Sequence, residues 1–121
     1  MSPQPILHFW FSELTPQQHF AKDATLDESI RTRFGPTLDA AARCELFAWR
    51  ATPEGRLAEI LVLDQFSRNV YRDTARAFAQ DALALALAQE LVASGQDRNL
   101  PTAQRVFAYM PYMHSESAVI H

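Results

Sequence analysis

The segment "TPEGRLAEILVLDQF", residues 52–66, constrains the fold of this chain more than any other. It opens like a helix. Thr52 is suited to an N-cap, Pro53 to the first helical turn, and Glu54 to the positive end of the helix dipole. Leu57, Ile60, Leu61, Val62, Leu63 and Phe66 then occupy nearly every side of the cylinder. A helix apolar all round belongs at the centre of its fold, so the rest of the chain must cover it.

The cover reads as helical too. With only Gly35, Gly55 and Gly95, the chain lacks the turn glycines of a β-rich protein, and alanine and leucine favour helix. The expected fold is all-α, in one domain spanning 1–121. A short helix is expected over Pro5–Ser12. Thr25-x-x-Glu28 has the form of a capping box, and "FGP" at 34–36 should break the helix it starts. A second segment then runs from Pro36 to Trp49, with Cys44 on its buried side. Asp73 is the expected N-cap of the longest helix and Gly95 its C′ residue. "LPTAQRVFAYM" reads as two turns ended by Pro111, "PYM" as a turn, and "HSESAVIH" as the start of another helix. Val119 and Ile120 look like the opening of an amphipathic helix that continues, so the domain is read as truncated at its C-terminal end. The apolar surface left there suits homodimerisation.

Composition narrows the function classes. The net charge of -3 argues against nucleic acid as a partner. No apolar run approaches the ~18 residues of a membrane helix, and the N-terminus has no signal-peptide pattern. A lone cysteine forms no internal disulfide, which points to the cytoplasm. His114 and Glu116 could ligate a metal only with help from elsewhere, and His8, His19 and His121 show no zinc spacing, so neither metal nor cofactor is expected.

The apolar run ends abruptly in "LDQFSRNVYR", residues 63–72. Asp64 and Arg68 are one helical turn apart in the favourable order, and Asn69 suits a C-terminal cap. Helix-end chemistry covers most of this cluster. It does not explain a carboxylate at the inner end of a central helix, which must be paired. A second polar cluster, "YMPYMHSES", holds Tyr109, His114 and Glu116. His114 is a residue type suited to a general base or an anion ligand. Adjacent His-Ser-Glu does not form a triad, because neighbouring side chains point apart.

The blocks "HFWF", "LDESIRTRFG", "TPEGRLAEILVLDQFSRNVYRDTARAFAQDALALALA" and "RVFAYMPYMHSE" together resemble the bacterial domain-of-unknown-function family 924. The resemblance implies antiparallel helix pairs in a tetratricopeptide-like right-handed array around a groove. It implies no established activity. Ser67 departs from the "DQFPRN" form of the family, and family members continue past the end of this chain.

Three functions follow as expectations. In the first, Asp64, Arg68, Asn69 and Arg76 meet Tyr109, His114 and Glu116 to bind an anionic small molecule or peptide. In the second, a hydrolase-type enzyme uses His114 or Asp64 as general base. In the third, the cluster joins helix pairs in a scaffold for protein partners. The first two require the segments around Arg68 and His114 to touch.

Overall fold

The computed structural model describes residues 1–120, and among them every regular element is helical. Seven α-helices follow in order: α1 (Gln4–His8), α2 (Pro16–His19), α3 (Ala24–Ala42), α4 (Pro53–Leu61), α5 (Ser67–Val70), α6 (Asp81–Ala93) and α7 (Thr102–His114). Two wide π-type turns extend them, Phe9–Glu13 after α1 and Val62–Phe66 between α4 and α5. Tight 3₁₀ turns at Phe47–Ala51, Ala75–Phe78 and Gln96–Asn99 join other elements.

The rod from Pro53 to Val70 is the axis of the molecule. Thr52 caps it by accepting the Gly55 N–H at 3.0 Å, with Pro53 in the first turn, as the sequence predicts. Every residue from Leu57 to Ser67 is buried. α1, α3, α6 and α7 pack around it. Tilted and edge-on ring contacts tie the layers together. Phe34 of α3 lies 5.3 Å from Phe66, and Trp10 lies 5.9 Å from Phe66 and 5.6 Å from Phe107 of α7. Glu59, buried on the same rod, is held by a two-pronged pair from Arg50 at 2.8 Å.

Several boundaries differ from those expected. Asp23, not Thr25, caps α3, accepting from the N–H groups of Thr25 and Leu26. "FGP" does not break α3. Phe34, Leu38 and Ala41 keep a buried stripe in register, while Thr32, the residue whose carbonyl Pro36 would block, faces solvent. α3 ends instead at Ala42, before the left-handed Cys44, whose side chain is exposed rather than buried. α6 starts at Asp81, because Asp73 also adopts a left-handed conformation and turns the chain. α3 is therefore the longest helix. Pro111 lies inside α7, where it is buried beside Phe107 and Ala108, and the helix continues to His114. Ser115 is extended, and residues 118–120 form a turn rather than a helix. Gly95 is left-handed just past α6, as a C′ glycine should be.

Candidate functional site

The wide turn at Val62–Phe66 places Asp64 at the inner end of the apolar rod, 1% exposed. Such a turn interrupts the regular i→i+4 ladder, and its backbone carbonyls need other donors. Arg68 supplies one: its Nη1 donates to the Asp64 carbonyl at 3.0 Å and to Asp64 Oδ1 at 2.7 Å. The same guanidinium is held on its other side by Asp81 at the start of α6, with bonds of 2.9 and 3.0 Å. Gln65 Nε2 donates to Asp64 Oδ2 at 3.1 Å. His114 Nδ1 lies 2.8 Å from Asp64 Oδ1. A carboxylate only accepts, so Nδ1 carries the proton and Nε2 is left for another partner. The two segments around Arg68 and His114 therefore touch, through Asp64. The continuation of α7 past Pro111 to His114 makes this reach possible.

Asn69 does not cap the rod. Tyr71 occupies the cap position, and the Asn69 amide donates to Asp27 Oδ1 on α3 at 2.9 Å. Arg72 clamps the same carboxylate at 2.7 and 3.2 Å. Burial pushes the Asp27 carboxyl up, but hydrogen bonds from Arg72 and Asn69, with the Arg72 charge, outweigh it and hold the group below its usual range. The Arg72 guanidinium is raised, chiefly by its bond to Asp27.

Three expected residues stand apart from the centre or at its edge. Arg76 lies over the Tyr71 ring at 4.1 Å and bonds its hydroxyl. Tyr109 donates to Asp97 at 2.6 Å, and that bond raises its phenol above the usual range. Glu116 is exposed but lines a cavity that His114 and Arg68 also line.

Arg68 and His114 line two cavities. The larger, 660 Å³, is walled by Phe78, Leu85 and Pro111 and carries two carboxylates, Asp81 and Glu116. The smaller, 180 Å³, is lined by Arg68, Arg72, His19, His114, Gln65 and Asn69, with Phe20, Ala21 and Met110, and by no carboxylate. His19 stacks on Trp10 at 4.6 Å and its Nε2 lies 2.7 Å from the Trp10 carbonyl. Among the described residues no three His, Cys, Asp or Glu side chains gather as a metal set, and His121 lies outside the described residues. No helix among them is long and apolar enough to cross a membrane.

Sequence reasoning did not place Asp81, Asp27, Arg72, Gln65 or His19 at the centre. Asp27 and Asp81 belong to no recognised sequence motif. The unused signal was charge balance: two buried-side arginines at 68 and 72 need more carboxylate than Asp64 alone.

The profile of a family described as bacterial proteins of unknown function, DUF924, matches residues 6–121. The chain belongs to this family. A protein of unknown function from Agrobacterium tumefaciens has a similar solved structure, with 39% identity and a TM-score of 0.93. The likeness covers 98% of this chain and 66% of that one, so the chain spans slightly under two-thirds of that protein's length. No curated protein matches the chain.

Proposed function

We propose that this DUF924 chain is a cytoplasmic binding module for a small anionic molecule, framed by a tetratricopeptide-like array of helix pairs. One observation carries the reading. The 180 Å³ cavity is lined by two arginines and two histidines and by no carboxylate. Guanidinium groups held in place by carboxylates lose little freedom when they take an anion. Arg68 is anchored by Asp64 and Asp81, and Arg72 by Asp27. The larger cavity, with Asp81 and Glu116 against one arginine, takes the uncharged or donor-bearing remainder of the ligand. Arg76 and Tyr109, engaged elsewhere, are not assigned a part in this binding.

The experiment is a thermal-shift titration with inorganic phosphate and small carboxylates. Ligand at about 10 mM that binds with a Kd of about 1 mM stabilises by roughly 1.4 kcal/mol, a rise of several degrees in a chain this size. Arg72→Met should abolish the ligand-induced rise, measured against the variant's own baseline. An undiminished rise in that variant removes the anion site. No rise with any anion favours the scaffold reading, in which Arg68→Ala costs stability alone.

A second reading has its own support. Asp64 holds His114 through Nδ1 and leaves Nε2 available, the orientation a general base needs. A hydrolase-type activity would then depend on His114, and His114→Gln would abolish turnover in an ester or phosphoester screen while leaving anion binding measurable.

A further inference from the structure

The small cavity carries acceptors as well as cations. Gln65 and Asn69 both line it and are only 7% and 6% exposed. Each gives its amide nitrogen to a carboxylate, Gln65 to Asp64 and Asn69 to Asp27. Neither amide can rotate by half a turn without setting oxygen against oxygen. Their carbonyl oxygens are thus fixed as acceptors, and among the described residues neither receives a hydrogen bond. The imidazoles are fixed in the same way. His19 Nε2 faces a carbonyl and must donate, which leaves Nδ1. His114 Nδ1 donates to Asp64, which leaves Nε2. In the neutral rings these remaining nitrogens accept.

The cavity therefore presents two guanidinium donors and up to four acceptors. A bare carboxylate matches the guanidiniums and nothing else, and it would cut the open amide oxygens off from water without giving them a donor. An unmatched buried acceptor is costly enough to discriminate between ligands. A volume of 180 Å³ leaves room for a small head group. We propose that the small cavity selects a carboxylate with a hydroxyl or amino group on the adjacent carbon, the carboxylate facing Arg68 and Arg72 and the donor facing the Gln65 and Asn69 oxygens. This selection rests on the anion-binding reading of the same cavity.

The test compares isomers. Lactate and methoxyacetate have the same atoms and charge, but only lactate carries a donor beside its carboxylate. Both are titrated into the full chain by calorimetry, with alanine as the amino counterpart and phosphate as a plain anion. The expected result is that lactate or alanine binds at least about tenfold more tightly than methoxyacetate, the loss expected for one unmatched buried acceptor. In Gln65→Met, of similar length but without the amide, the ratio should fall to about threefold or less. Equal affinities for the isomers, with phosphate still bound, overturn the selection and spare anion binding. If phosphate and all three acids fail to bind, anion binding falls and the selection with it. The wild-type ratio stands by itself if Gln65→Met does not fold.

Discussion

Asp64 is the hub of the Arg68–His114 network at the rod's inner end, since it holds Arg68, Gln65 and His114 at once. Its pairing with Arg68 was legible from the four-residue spacing. Its third partner was not, because His114 is fifty positions away and reaches it only through a proline-containing helix. Removing one partner of a buried ion pair leaves the other uncompensated. Asp64→Asn should lower unfolding stability by about 3 kcal/mol in urea denaturation, and it should release the His114 ring, visible as a shift of its imidazole NMR signals. A loss under about 1 kcal/mol would mean that Arg68 is adequately held by Asp81 alone. Ser67 tests the opposite sign. Its hydroxyl is buried and has no hydrogen-bond partner among the described residues. Ser67→Ala removes that unmatched group, so stability should rise by about 1 kcal/mol. A decrease would show that the hydroxyl is satisfied by ordered water.

At the level of elements, local signals succeeded where they were satisfied locally. The Thr52-Pro53-Glu54 start needs only its own turn, and it forms as expected. Proline signals failed where burial outweighed them. Pro36 and Pro111 each cost a helix about 3 kcal/mol in isolation, yet α3 continues because its apolar stripe runs on beyond Pro36, and α7 continues with Pro111 itself buried and His114 held by Asp64. The wide turn that swings Asp64 and Gln65 into place has no sequence marker at all. Gly55 is a different kind of constraint. A Cβ there would stand 1.9 Å from the Trp49 carbonyl oxygen, which is backbone and cannot step aside. Gly55→Ala should therefore destabilise by about 3 kcal/mol or more despite the higher helix propensity of alanine, measured by thermal or urea unfolding. The joint between α3 and α5 depends on pH. Asp27 has a folded-state pKa below its unfolded value, so its contribution is complete above about pH 4 and is lost as pH falls through the folded value. Wild type and Asp27→Asn should differ in stability at pH 7 and converge towards pH 2–3. A difference that stays constant across that window would detach Asp27 from the acid limb.

For the whole molecule, the all-α class and the central placement of the 57–66 segment followed from composition and from apolar residues on every side of one helix. The same wrapping makes the core continuous. Phe9 and Trp10 of the wide turn after α1 and Phe34 of α3 meet around Phe66, Phe107 of α7 joins through Trp10, and the other end of the rod is closed by Trp49 over Gly55 and by Arg50 on Glu59. Trp10 reports on the first end and Trp49 on the second, both buried. If the chain is one folding unit, neither end can melt while the rod stays in place. Tryptophan fluorescence and far-UV circular dichroism should then give coincident urea transitions, as expected for a single domain of this size. Ile60→Ala, at a fully buried position between the two ends, should move both probes together by about 2–5 kcal/mol. Transitions that separate, or an Ile60→Ala effect confined to one probe, would divide the chain into two units joined by the rod. The anion site would then belong to the unit that holds α3, α5 and α7, because Asp27, Arg72 and His114 lie on or beside those helices.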